Sequence, residues 1–212
     1  MKLSKGFTLI ELIISVFILS VAVVGIFNAF SIMIILTSDA ADRLTATYLA
    51  QEGEEIVRNI RDTNWLNMDA CNSPTPPSYC PASWVDGLTA DGLNGSPNCS
   101  NGCEADYTTD TNISGAWVMK PWSASGLPLL INSGNGFYNY SSGTITKFKR
   151  KIIITSIPDA NNVSGYILKV EVQVSWNQKA TILNAGYLAG NCQPANCIKV
   201  EGTMYDWYNY SG

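Results

Sequence analysis

From Leu12 through Ser38 the chain carries no charged side chain, and Ile, Leu, Val and Phe dominate the run. A helix needs about 20 apolar residues to cross a bilayer, so this segment reads as a membrane-inserted helix. Lys2 and Lys5 precede it, while Asp39 and Asp42 outweigh Arg43 just after it. The positive-inside rule then predicts a cytoplasmic N-terminus and an exported remainder. One carboxylate, Glu11, stands at the mouth of the run. A carboxylate is costly there, so Glu11 marks a site and requires a cation as partner.

Residues Gly6 to Glu11 read Gly-Phe-Thr-Leu-Ile-Glu and follow the basic leader Met1-Lys2-Leu3-Ser4-Lys5. A secretory signal peptide has a core of about 7–15 apolar residues and a small-residue cut site behind it. Here the apolar run is far longer and shows no clear Ala-x-Ala exit. The segment instead resembles the class III leader of type IV pilins, pseudopilins and their relatives in secretion and DNA-uptake machines. The resemblance is specific over residues 1–36 and general beyond them. It implies that a prepilin peptidase cuts after Gly6 and methylates the new amine on Phe7. It also implies that Glu11 is the assembly residue.

The chemistry suits those roles. Cleavage would give Phe7 a cationic amine, and methylation keeps that charge. Glu11 buried against such an ammonium escapes most of the penalty of a lone charge in hydrocarbon, which is several kcal/mol. In related filaments the pair forms between neighbouring subunits. Phe7 and Glu11 also stand at i and i+4, so pairing within one chain is geometrically open as well.

The chain has 212 residues, and leader plus helix leave about 150 for a head, enough for one domain with a proper core. Six cysteines suit an exported, oxidising setting. They fall as Cys71/Cys80, Cys99/Cys103 and Cys192/Cys197, and local loops are the preferred pairing among the 15 connectivities six allow. Zinc is disfavoured, because the chain has no His and no Cys-x-x-Cys. The lack of His also removes a His-based triad or general base, so no enzyme, metal or cofactor is expected.

Beyond Ser38, Ala41, Leu44, Tyr48, Leu49, Ile56 and Ile60 recur at helical spacing among charged residues. One helix is predicted from about Phe7 to Asp62, with Gly25, Asn28 and Gly53 as its weak points. Residues 63–146 form a loop-rich, acidic block, punctuated by Pro and Gly and holding four of the cysteines. Lys147–Ile157 is rich in β-branched residues, and Tyr166–Trp176 alternates apolar and polar side chains. Both read as strands of a half-buried antiparallel sheet, joined by a hairpin connection. Further strands are expected near Lys179–Asn184 and Ile198–Tyr205. Lys169–Trp176 is also similar to the sheet region of minor pseudopilins, where a Val-rich strand runs to a Trp.

Several constellations have plainer readings. Asp106, Thr108, Asp110 and Asn112 alternate oxygen ligands, with Asp91, Asn94, Asn98 and Asn101 upstream, but the EF-hand spacing, Gly and terminal Glu are missing. A polar loop is the simpler account. Lys147, Lys149, Arg150 and Lys151 could meet phosphates, yet a strand splits them onto two faces and the net charge is −4. A solvated edge that discourages strand association is favoured, and nucleic acid is not expected as a partner. The aromatic tail Met204–Tyr210 reads as a last strand packing on the sheet. Asn112, Asn139 and Asn162 stand in Asn-x-Ser sequences that matter only where the host glycosylates.

The resulting expectation is an α+β fold: a long N-terminal helix packed on an antiparallel sheet, with a cysteine-rich loop insert. Residues 1–6 form a cleaved leader, 7–36 a membrane and filament-core helix, 37–62 its amphipathic half, and 63–212 the exported head. The resemblance implies a structural subunit, of the minor class, of a type IV pilus or a type II secretion-like pseudopilus. It implies as partners prepilin peptidase, other pilins or pseudopilins, an assembly platform membrane protein and the lipid bilayer. It places the chain in the cytoplasmic membrane and then in a filament. The alternative is a membrane-tethered adhesin or receptor whose head does the work.

Overall fold

A computed structural model describes residues 6, 8–88, 98–109, 119–123, 126–158, 166–176, 192 and 196–206. Helix α1 (Leu9–Ala70) accounts for 62 of them. No proline interrupts it before Pro74, so every backbone N–H beyond the first turn can donate within the helix. It passes through Gly25, Asn28 and Gly53 without a break. The chain thus stays helical eight residues beyond the predicted end at Asp62. The extension is held by tertiary contact: Asn64 and Trp65 are buried, and Asn64 Nδ2 donates to Trp84 O (3.2 Å) and Asp86 O (2.7 Å).

The two halves of α1 differ in what surrounds them. Between Leu9 and Leu36 the large apolar side chains are all exposed, with 42–77% of their surface open. Hydroxyls in this half turn back onto the backbone: Ser15 donates to Glu11 O, Ser31 to Phe27 O and Thr37 to Met33 O. Such i−4 bonds satisfy these hydroxyls without water inside hydrocarbon. In the outer half, Ala46, Leu49, Ala50, Gly53, Val57, Ile60 and Asn64 are buried. Their 3–4 residue spacing makes one stripe on one face.

That stripe packs on a five-stranded antiparallel sheet. Its strands are β1 (Cys103–Glu104), β2 (Lys120–Pro121), β6 (Phe148–Pro158), β7 (Tyr166–Trp176) and β8 (Cys197–Tyr205), in the order β2-β1-β6-β7-β8. Phe148 pairs with Trp176 and Pro158 with Tyr166, while Ile167 pairs with Tyr205 and Ser175 with Cys197. Side chains alternate along each strand, so Phe148, Ile152 and Ile154 join Leu168, Val170, Val172, Val174 and Trp176 against the helix. A second, small sheet is made by β3 (Leu130–Ile131), β4 (Tyr138–Asn139) and β5 (Thr144–Ile145), in the order β4-β3-β5. The fold is therefore α+β. Lys179–Asn184, where a strand was expected, lies outside the described residues.

Helix and sheet approach closely at Gly53. A Cβ there would stand 2.8 Å from Val172 Cγ1 and 3.0 Å from Arg150 Cδ. The missing side chain lets the backbone settle onto the sheet.

Candidate processing and assembly site

Thr8 holds an extended conformation (φ −82°, ψ 150°), and α1 starts at the next residue. Gly6 and Thr8 are exposed, so the stretch ahead of the helix offers open, non-helical backbone at Gly6. A peptidase requires an extended, accessible substrate, which a helix interior does not supply. Phe7 lies outside the described residues.

Glu11 sits in the first helical turn. The unpaired N–H groups of that turn carry partial positive charge, which favours a carboxylate there. The Leu12 N–H donates to Thr8 O at 3.3 Å, closing the first turn, and Ser15 Oγ donates to Glu11 O at 2.6 Å. Its neighbours in sequence, Leu9, Ile10, Leu12 and Ile14, are all exposed. None of the ion pairs among the described residues involves Glu11. An acid on an apolar, outward-facing helix needs a cation from elsewhere once hydrocarbon or another helix covers it.

Residues 1–27 match the family model described as the prokaryotic N-terminal methylation motif. The motif is typical of type IV pilin-like proteins, and this chain carries it. It supports a type IV pilin-like or pseudopilin protein, and with the long apolar helix it fits an inner-membrane anchor. No curated protein and no solved structure matches the chain.

The cysteines pair locally in space: Cys71 with Cys80, Cys99 with Cys103 and Cys192 with Cys197, with Cα atoms 5.8, 5.1 and 5.3 Å apart. The first bond follows directly on the end of α1. It tethers the turn whose Asp86 carboxylate accepts from Ala82 N (2.7 Å), Tyr79 OH (3.1 Å) and Ser83 Oγ (3.2 Å).

Of the oxygen-rich loop, Asp106 and Thr108 line a cleft of about 310 Å³ with Glu104, Thr109, Lys120, Tyr140 and Ser141. Asp106 is already engaged. Its Oδ1 accepts from the N–H and hydroxyl of Thr108, and its Oδ2 from Tyr140 N. Asp110 and Asn112 lie outside the described residues, as do Asp91 and Asn94. Among the described residues no group of three or more His, Cys, Asp or Glu side chains gathers to hold a metal. Burial holds the Glu104 carboxyl above its usual range, against the Leu127 N–H and the charges of Lys120 and Lys149, which pull it down.

The reading of Lys147–Lys151 as a solvated edge is overturned. Strand β6 is interior, between β1 and β7, and the Arg150 side chain is fully buried. Its Nη1 donates to Leu49 O (3.1 Å) and Glu52 Oε2 (3.0 Å), and its Nη2 to Ala105 O (2.7 Å). Sequence reasoning missed this residue although the signal was present: Arg150 has the same parity as Phe148, Ile152 and Ile154, the apolar face of the strand. Asn139 is also buried, its Oδ1 accepting from Ser141 N and Ser142 N, which closes that Asn-x-Ser position to a glycan. In the tail, Met204 packs into the core and Tyr205 is half exposed. Residues 207–210 lie outside the described residues.

Proposed function

We propose that this chain is a non-enzymatic structural subunit, of the minor kind, of a type IV pilus or a type II secretion-like pseudopilus. Prepilin peptidase would cut between Gly6 and Phe7, leaving a membrane-held subunit with its head outside. An assembly platform in the membrane would then pass it into a filament with other pilins or pseudopilins. The observation that carries this reading is Glu11 in the first turn of a helix whose large apolar side chains from Leu9 to Leu36 are all exposed, one turn beyond the residue that cleavage would make the N-terminus. Two surroundings suit such a helix, lipid before assembly and neighbouring helices after it. In both, the Phe7 amine left by cleavage would be the cation for Glu11, which has no ion pair among the described residues. The elaborate, disulfide-bonded head favours a minor subunit over a repeating one.

The test is Glu11→Ala in the native host. The variant should be processed normally and reach the membrane, but be missing from filaments sheared off the cells. Incorporation at the normal level would contradict the proposal, and a head that stays with membranes even in the unsubstituted protein would favour a tethered receptor.

A further inference from the structure

Strands β1 and β2 pair Glu104 with Lys120, so the two side chains stand side by side on one face of the sheet. Opposite charges placed so ordinarily close into an ion pair. Here they do not, for none of the ion pairs among the described residues joins them or involves Lys120. The Leu127 N–H instead pins the carboxylate, donating to Glu104 Oε1 at 2.8 Å. Glu104 is only 2% exposed, and that bond is its one hydrogen bond among the described residues. A carboxylate oxygen so buried needs a donor, and the described residues supply none to Oε2.

This split pair lines the cleft of about 310 Å³. The other walls are already fixed. Asp106 has both oxygens engaged, and its bond from Tyr140 N at 2.6 Å ties the turn after β4 to the turn after β1. Thr108 Oγ1 donates to Asp106 and Ser141 Oγ to Asn139, which leaves the lone pairs of both hydroxyl oxygens to accept. The volume stands at the small end of ligand sites, which run from about 300 to 1,000 Å³.

The lining selects what could enter. A cation would meet Lys120, and a free anion would meet Glu104 and Asp106. An apolar group would cover Glu104 Oε2 without giving it a donor. What fits is a neutral group with a donor and an acceptor side by side. Adjacent ring hydroxyls do this, one donating to a carboxylate while its neighbour accepts from an ammonium. A primary amide offers the same pair. The hydroxyls of Thr108, Thr109 and Ser141 on the remaining wall call for further hydroxyls, which a sugar carries and an amide does not.

We propose that this cleft binds one neutral hexose unit, with two neighbouring hydroxyls of the sugar bridging Glu104 and Lys120. The sugar thereby completes the pair that the strands leave open. The site belongs to the head and does not require the chain to enter a filament.

The test uses the full chain in a detergent without a sugar headgroup, and saturation-transfer difference NMR with the methyl glycosides of glucose, galactose and mannose in turn. At least one should receive saturation, and Lys120→Ala and Glu104→Gln should each cut that signal several-fold. Lys120 is exposed, and Glu104→Gln keeps an acceptor for Leu127 N, so both variants should melt as the unsubstituted protein does. Lys169→Ala, on β7 and away from the cleft, should leave the signal unchanged. No transfer to any of the three glycosides from folded protein would overturn the inference, as would transfer that survives Lys120→Ala. Transfer to acetamide but to no glycoside would overturn it in favour of an amide ligand.

Discussion

Arg150 Nη1 lies 3.0 Å from Glu52 Oε2, joining the middle of β6 to the outer half of α1 through a side chain that has no exposed surface. Removing Arg150 leaves the buried Ala105 carbonyl without its side-chain donor, while the Glu52 carboxylate is 32% exposed. Arg150→Ala adds a cavity between helix and sheet, and the loss should be about 3–5 kcal/mol by urea unfolding of the detergent-solubilised chain. Arg150→Met fills the volume without the charge and should lose clearly less. Equal losses for the two would mean that the charge and its hydrogen bonds, not the filled volume, hold the helix.

Gly53 and Gly25 are both helical glycines with opposite surroundings. Gly53→Ala drives a methyl to within 2.8 Å of Val172 Cγ1, so the gain in helix propensity is outweighed and stability falls by about 1–3 kcal/mol. At Gly25 nothing stands within 4 Å of a new Cβ, so Gly25→Ala should leave stability unchanged or slightly higher. Thermal melts of both variants followed by near-ultraviolet circular dichroism check the contrast.

The bond between Cys71 and Cys80 closes a short loop, with nine positions separating the two residues. Loop-closure entropy for that length is about 2–3 kcal/mol. The double variant Cys71→Ser, Cys80→Ser should lose that much and release the turn around Asp86, seen as faster amide exchange at Ala82 and Trp84. Exchange equal to the unsubstituted protein would show that the hydrogen bonds to Asp86 hold the turn without the disulfide.

Glu104 gives a pH dependence of definite sign. Its carboxyl is raised in the fold above the ordinary value of 4.5, chiefly by burial. The folded state thus binds this proton more tightly than the unfolded chain. The stability it contributes is full below the ordinary value and is lost as pH rises through the folded one. Glu104→Gln can still accept from Leu127 N and carries no charge. From about pH 4 to about pH 7 the unsubstituted protein should lose more stability than the variant. Parallel stability curves for the two would contradict the assignment.

How much of this was legible in the sequence varied with how local the signal was. The N-terminal methylation motif could be read because its residues stand close together within the first 27 positions of the chain. Strand β7 could be read at both ends, since strict alternation from Tyr166 to Trp176 needs no knowledge of its partners. The end of α1 could not. Residues 63–70 look like loop, and distant contacts, among them those of Asn64 with Trp84 and Asp86, hold them in the helix. Strands β1 to β5 are two residues each and exist through distant pairing, as Cys103 with Ile152 or Leu130 with Ile145, which no periodicity announces. Arg150 was misread because charge was taken to mean solvent, whereas parity along the strand pointed inward.

The account as a whole turns on the state of the N-terminus in the working protein. Intact-mass and N-terminal peptide mass spectrometry of protein recovered from sheared filaments measures it directly. The account predicts a chain that begins at Phe7 with a methylated amine. Filament-borne protein that still begins at Met1 would contradict it.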